Sequence, residues 1–209
     1  MLKAATVLLD EGGQTALSTR VLAERSGVPL ATIYRYFDNS DAIIAAFLER
    51  EMEIIDRKCV AAVLELDRVT LRSMTDAVLT AHMLHHERNP TAVRLWFDAE
   101  RSPEVRARIC RQDMRLAEWF EQAVSTAGLV RDDAPPWGGA LLVRLADRMF
   151  EFSFAEWNGP GTHREIVAGF VDMVAGRLER HATPAGIDGI SGEEFVRLLG
   201  AMPRHVKVD

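Results

Sequence analysis

The segment from Leu17 to Phe37, which reads LSTRVLAERSGVPLATIYRYF, is the part of the chain that most constrains its fold. Apolar residues recur at helical spacing on both sides of Gly27, and glycine tolerates the positive φ that a tight turn between two helices commonly requires. Ser18 or Thr19 can cap the first helix, because a hydroxyl oxygen accepts a hydrogen bond from the free N–H groups of a first turn. The segment therefore predicts two short helices joined by a glycine turn, with the second helix ending near Phe37.

The second of these helices carries exposed hydrogen-bonding groups and has a weak helical sequence. Ile33 and Phe37 lie four residues apart and should point inward, whereas two β-branched residues and two tyrosines lower the helix propensity. Thr and Arg side chains can contact base edges, and tyrosine hydroxyls and first-turn N–H groups can contact phosphates. This composition favours DNA recognition. The side chains available for it are those of Leu30, Thr32, Tyr34, Arg35 and Tyr36.

Three stretches, AATVLLDEGG, the segment 17–37 and DAIIAAFLE, resemble the N-terminal domain of TetR-type transcriptional repressors over roughly residues 2–49. The resemblance implies an all-α homodimer, in which a three-helix DNA-binding domain precedes a domain that dimerises and usually binds a small effector. We accordingly assign residues 1–46 to DNA binding, 47–181 to ligand binding and dimerisation, and 182–209 to a C-terminal linker and short helix. The predicted DNA contacts are Ser18, Thr19, Leu30, Thr32, Tyr34, Arg35, Tyr36 and Ser40.

The charge of the N-terminal region departs from the family pattern. Ser40 stands where the family usually has a Lys that contacts a phosphate, and the usual basic arm before the first helix is missing. Residues 1–58 hold seven Lys or Arg and nine Asp or Glu. We therefore expect few phosphate contacts and a gentle salt dependence, near ~0.9 per neutralised contact. The alternative is a helix-turn-helix-like bundle that does not bind DNA.

The bulk composition limits the partners that we expect. A formal net charge of -6 argues against a protein that coats nucleic acid non-specifically, but it is compatible with a specific DNA binder. Cys59 and Cys110 are far apart and suggest neither a disulfide framework nor a metal-ligand pair, which is typical of a reducing compartment. No signal peptide and no apolar run near the ~20 residues of a membrane span is present. We expect a cytoplasmic protein without a membrane partner.

Helical periodicity continues through the rest of the chain without strand-like alternation or βαβ spacing, which predicts an all-α fold. Asp41 is the expected cap of a long helix to about Leu66, and Cys59 lies in its apolar stripe, where a buried structural thiol is expected. The stripe comprises Ile44, Leu48, Met52, Ile55, Cys59 and Val63. Further helices are predicted at Leu71–His86, Thr91–Ala99, Glu104–Ala127, Trp137–Trp157 and Thr162–His181, then, after a linker reading ATPAGIDGISG, at Glu193–Met202.

Two late helices carry wide apolar stripes at the place where the resemblance implies a four-helix bundle between subunits. A two-fold dimer would let two helix-turn-helix units read a palindrome. The alternative is that both stripes belong to the core of a single chain. The predicted interface consists of Leu141, Leu145, Met149, Phe152, Ile166, Phe170, Met173 and Val174.

Large apolar side chains on the fifth to eighth predicted helices suggest an effector pocket among these helices. Aromatic residues at helical spacing also occur in ordinary cores, so this pocket is a hypothesis. His82, His85 and His86 share a helical face, but no Cys or carboxylate at matching spacing completes a metal site; we favour solvated or hydrogen-bonded histidines. The predicted ligand contacts are Met83, His86, Trp96, Phe97, Trp119, Phe120, Met149 and Phe150.

Three functional hypotheses remain open from the sequence. The first is a repressor that is released from a palindromic operator by a small, largely apolar effector. The second is a regulator switched by a protein partner or by its own concentration, and the third is a helical small-molecule binder without DNA binding. Enzymatic motifs such as GxSxG, HExxH or a phosphate-cradling glycine loop are missing, so we expect a protein that is not an enzyme and uses no cofactor.

Overall fold

The structure of the protein is a computed structural model that describes residues 1–97, 103–135 and 137–200. The chain is helical over most of these ranges, as predicted, and one antiparallel pair of two-residue strands was not expected from the sequence. The helices are α1 (Leu2–Gly12), α2 (Thr19–Ser26), α3 (Leu30–Tyr34), α4 (Ser40–Leu64), α5 (Leu71–Arg88), α6 (Pro90–Trp96), α7 (Pro103–Thr126), α8 (Gly138–Glu151), α9 (His163–Leu178), α10 (Pro184–Asp188) and α11 (Gly192–Leu199), and the strands are β1 (Arg68–Val69) and β2 (Ile190–Ser191).

The chain divides into two compact units. The first comprises Met1–Glu53 and Asn89–Gln112, and the second comprises Ile54–Arg88 and Asp113–Asp209. The predicted domain boundaries after residues 46 and 181 stay predictions. No helix of the described residues is both long and apolar enough to cross a membrane.

The first unit contains the predicted helix-turn-helix. Ser18 caps α2, since its side chain accepts a hydrogen bond from the Val21 N–H at 3.1 Å. Gly27 follows α2 with φ 67°, in the left-handed region that the sequence predicted for this turn. Ile33 and Phe37 are buried as expected. The helix is shorter than predicted, however, because α3 ends at Tyr34 and the chain reaches Phe37 through a turn.

The long helix α4 starts on a different cap from the one predicted. Asn39, and not Asp41, accepts the hydrogen bond from the Ala42 N–H, at 2.9 Å. The prediction of Asp41 was wrong because the helix begins already at Ser40, so that Asp41 lies inside its first turn. The whole predicted stripe from Ile44 to Val63 is buried. Burial also raises the pKa of the Cys59 thiol, in agreement with a structural role.

The core of the second unit lies among α5, α7, α9 and the C-terminal segment. Helix α5 packs against α9, and α8 packs against α9. Thr162 caps α9 through a capping box with Glu165, which confirms the predicted start of this helix. The core includes Val63, Val69, Leu71, Met74, Trp119, Phe120, Leu129 and Phe195.

The C-terminal segment is a structured part of the second unit. The predicted linker contains α10 and β2, and β2 pairs with β1 through Val69 and Ile190. Phe195 on α11 is 0% exposed within the core. The prediction of a linker was wrong because Thr183 and Ser191, read as loop residues, cap α10 and α11 with their hydroxyls.

Several other boundaries also differ from the prediction. The helix predicted at Trp137–Trp157 is an α-helix only to Glu151 and continues as a π-helical turn over Phe152–Glu156. The last long helix ends at Leu178 and is followed by a 3₁₀ turn over Glu179–His181. The predicted helix ends at Ala99 and Met202 lie outside the described residues.

Candidate DNA-binding surface and effector region

The exposed face of α3 and its C-terminal turn brings the predicted DNA contacts together. Tyr34 is 52% exposed and Tyr36 is 61% exposed, and Arg35 lies between them on the surface. Leu30 is exposed at the start of α3, whereas Thr32 is half-buried. A buried Ile33 beneath these residues fixes the turn of helix that presents them.

A hydrogen bond between side chains joins α2 to this face. The Thr19 hydroxyl donates to the Tyr34 hydroxyl oxygen at 3.2 Å. A Tyr hydroxyl that accepts this bond keeps its own proton available for an outside acceptor, such as a phosphate oxygen. The Ser18 hydroxyl oxygen already accepts the capping hydrogen bond of α2, and Ser40 is half-buried at the start of α4.

Two of the arginines in this region are already paired with carboxylates, which reasoning from the sequence missed. Arg20 Nε lies 3.4 Å from Glu24 Oε1, four residues along α2. Arg25 on α2 lies 2.6 Å from Glu11 Oε1 on α1. Arg35 makes no ion pair within the described ranges. The i,i+4 spacing of Arg20 and Glu24 was the available signal for the first pair.

The three histidines of α5 lie in or beside an aromatic cluster of the second unit. The His82 ring stacks on Phe150 at 4.5 Å between centroids, and His86 meets Phe150 and Phe154 edge-on at 5.3 Å each. Burial lowers the pKa of His82 to about 3 and that of His86 to about 2, with neighbouring histidines adding to the shift. Both rings are therefore neutral near pH 7. Of the two alternatives expected from the sequence, solvated or hydrogen-bonded histidines, the solvated one is wrong for His85 and His86, which are both buried.

Two further histidines extend the polar part of this region. The His85 Nδ1 lies 3.1 Å from the Lys58 ammonium, which can only donate, so this nitrogen accepts. The His163 ring stacks on Phe154 at 3.9 Å, and its Nδ1 lies 2.9 Å from the Ser153 hydroxyl. In the portion that the structure describes, no group of three or more His, Cys, Asp or Glu is arranged to hold a metal ion.

A buried carboxylate stands on α7 in the same unit. Asp113 is 7% exposed and contacts Arg144 of α8 at 3.3 Å. Burial is the main cause that raises its pKa to about 7, and the charges of Asp147 and Asp56 raise it further, while Arg144 opposes the shift. This carboxyl group therefore changes its charge close to neutral pH.

The predicted ligand contacts are divided between the two units. Trp96 and Phe97 belong to the first unit, where Trp96 is buried and Phe97 is half-buried. The other six are buried in the second unit, where His86 and Phe150 are in direct ring contact. The six are Met83, His86, Trp119, Phe120, Met149 and Phe150.

The predicted dimer residues form an open apolar face on α8 and α9. Leu141, Leu145 and Met173 are exposed and line a groove of about 590 Å³, whose floor includes the buried Phe170 and Val174. The remaining three predicted residues differ in exposure: Phe152 is exposed, Ile166 is half-buried and Met149 is buried.

Comparison with known proteins finds a family match for the N-terminal part of the first unit. Residues 1–47 match the family model described as bacterial regulatory proteins, tetR family. The N-terminal region of the chain belongs to the TetR family. The description of this family model names bacterial regulatory proteins.

Curated relatives match only part of this chain. The HTH-type transcriptional regulator Rv1255c of Mycobacterium tuberculosis is 26% identical over 103 residues, which cover 49% of this chain and 50% of that protein. The HTH-type transcriptional repressor KstR of Mycolicibacterium smegmatis is 38% identical over 58 residues, which cover 28% of each chain. The chain thus spans about half the length, or less, of these relatives.

Solved structures extend the likeness of the fold beyond the TetR-family region. The transcriptional regulator FadR of Bacillus subtilis, crystallised with stearoyl-CoA, has a TM-score of 0.62 at 14% identity. The match covers 83% of this chain and 95% of that chain. At this identity the likeness shows the fold alone.

Proposed function

We propose that the protein is a DNA-binding transcriptional regulator, most consistent with a repressor, that reads a palindromic operator as a homodimer. The observation that carries this proposal is the exposed set Tyr34, Arg35 and Tyr36 over a buried Ile33, in a region of the TetR family. Hydroxyl and guanidinium groups on one exposed helical turn can contact both phosphates and base edges.

Selection of bound DNA from a random pool tests this proposal. A palindromic consensus is the expected result, because two symmetry-related units would read equivalent half-sites. The selected DNA then serves to compare Arg35→Ala with Arg57→Ala, which removes the same charge from an exposed position in the second unit. Loss of affinity in Arg35→Ala alone supports the assigned DNA-binding surface, whereas equal affinities of the two variants would refute that assignment.

Dimerisation through α8 and α9 is the second part of the proposal. Leu141, Leu145 and Met173 leave apolar area exposed along one groove of α8 and α9. Removing apolar surface from water stabilises association, and a second copy offers the same face in an isologous contact. This face supports a dimer better than it supports a ligand pocket, since only Phe120 of the predicted ligand contacts lines its groove.

A small, largely apolar effector is the third part of the proposal. The buried contact of His86 with Phe150 and Phe154 supplies large apolar surfaces beside neutral imidazoles. FadR of Bacillus subtilis, which shares the fold, was crystallised with stearoyl-CoA. Titrating stearoyl-CoA and free long-chain acids into the complex with the selected DNA tests the coupling, since an inducer must lower operator affinity. An unchanged affinity with every apolar ligand tried would favour the alternative of a regulator controlled by a partner or by concentration.

A further inference from the structure

Arg20 on α2, next in sequence to a residue bonded to the proposed DNA-binding face, is held by a carboxylate. Arg20 follows Thr19 in the first turn of α2, and the Thr19 hydroxyl is bonded to Tyr34 on the recognition face. The Arg20 side chain is 82% exposed, and its Nε donates to Glu24 Oε1 at 3.4 Å. Among the described residues, the Glu24 carboxylate is therefore the one hydrogen-bonding partner of the Arg20 guanidinium.

Glu24 opposes DNA binding in two ways. Its carboxylate is an acceptor that competes with phosphate oxygens for the Arg20 N–H groups. It also places a negative charge one turn of helix from Arg20, where the phosphate backbone would approach. Because Ser40 stands in place of a basic residue, Arg20 contributes a larger share of the positive charge available for phosphate contacts than one arginine would in a basic domain.

The other paired arginine of α2 provides a comparison within the same unit. Arg25 lies five residues after Arg20, about 140° around the helix axis at 3.6 residues per turn. Its partner Glu11 belongs to α1, and the two atoms are 2.6 Å apart. This pair therefore joins α1 to α2 on a different side of the helix from Arg20.

We propose that Glu24 limits operator affinity by holding Arg20, so that DNA binding includes the exchange of the Glu24 carboxylate for a phosphate. This inference rests on the proposed function. An exposed i,i+4 pair of this kind changes an equilibrium about twofold. A dimer with two helix-turn-helix units would then bind DNA about fourfold more tightly when the pair is removed. The gain would be larger if repulsion between Glu24 and the DNA phosphates is also relieved.

The experiment uses the full chain and the DNA selected from the random pool. Operator affinity is measured by fluorescence anisotropy over a series of salt concentrations for wild type, Glu24→Gln, Arg20→Gln and the double variant. Glu11→Gln is the matched control, because it changes the net charge equally and also frees an arginine of α2. Circular dichroism melts of all variants establish that each is folded.

The expected result is that Glu24→Gln binds about fourfold or more tightly and that its salt dependence steepens by up to ~0.9 for each head. Arg20→Gln should weaken binding, and the double variant should bind more weakly than Glu24→Gln, because no arginine is left for the loss of the Glu24 carboxylate to release. Glu11→Gln should show no comparable gain.

Three outcomes would overturn the inference while leaving the proposed function intact. These are an unchanged affinity in Glu24→Gln, an equal gain in Glu11→Gln, which would indicate a bulk charge effect, and a double variant that binds as tightly as Glu24→Gln. If neither wild type nor any variant enriched DNA from the pool, the proposed function itself would fail, and this inference with it.

Discussion

Replacing Asp113 with Asn should remove a large part of the pH dependence of folding. The carboxyl group is buried on α7, and its pKa is raised from 3.8 to about 7, chiefly by burial and then by Asp147 and Asp56. Arg144 at 3.3 Å compensates only partly, because its side chain is itself half-exposed to water. Asparagine keeps the shape and cannot ionise, so the variant removes the titration and leaves the packing largely unchanged.

The sign of the effect follows from the raised pKa. The folded chain binds the Asp113 proton more tightly than the unfolded chain, so this group contributes stability that is complete below pH 3.8 and is lost as pH rises through about 7. At about 1.4 kcal/mol for each unit of pKa, the full loss is on the order of 4 kcal/mol. About 2 kcal/mol of it falls between pH 5.5 and 8.5, and little change remains above that range.

Urea denaturation followed by circular dichroism at pH 5.5 and pH 8.5, at one protein concentration, measures this effect. The quantity of interest is the change in the free energy of unfolding between the two pH values, compared between wild type and Asp113→Asn. Asp76→Asn, at an exposed position on α5, is the control and should titrate like wild type. If Asp113→Asn lost as much stability as wild type on going to pH 8.5, the raised pKa and the burial that causes it would both be refuted.

Three further substitutions test the packing, the turn and the proposed dimer face. Phe195→Ala should lower the free energy of unfolding by about 3–5 kcal/mol in urea, because it empties a core position, whereas the exposed Val196→Ala should change little; equal losses would contradict the packing of α11. Gly27→Ala should cost about 1 kcal/mol in a thermal melt, because alanine is strained at φ 67°, and an unchanged midpoint would contradict the turn. Met173→Glu, at a side chain that is 69% exposed, should yield monomers in sedimentation, with Ile187→Glu remaining dimeric; dimers in both would refute the proposed interface.

Local rules predicted the start of the chain well. The cap at Ser18, the left-handed Gly27 and the buried pair Ile33 and Phe37 each depend on a few neighbouring residues, and each was found as expected. The stripe of α4 was predictable for the same reason, because one periodic pattern extends over its length. The exposure of Tyr34 and Tyr36 follows from these constraints.

Features that depend on distant parts of the chain were not predictable from the sequence. The pairing of β1 with β2 joins residues that are more than a hundred positions apart, and two-residue strands carry no readable alternation. The pKa of Asp113 is raised chiefly by burial and further by Asp147 and Asp56 from two other helices, which periodicity alone does not bring together. His86 was predicted to be a polar ligand contact, because a histidine on a helix is usually solvated. In the structure its ring packs against Phe150 and Phe154.

The charges of the first unit suggest how an acidic protein could still choose one DNA sequence. Non-specific affinity comes almost entirely from phosphate contacts, and each such contact adds to binding at every site in a genome. Arg20 and Arg25 are engaged by Glu24 and Glu11, which leaves Arg35 as the arginine of the helix-turn-helix without a described ion pair. Low non-specific affinity would then increase the share of the binding energy that depends on base contacts and on correct half-site spacing. On this argument, removing Glu24 should tighten binding to unrelated DNA at least as much as binding to the operator, so the gain in affinity would be accompanied by a loss of specificity.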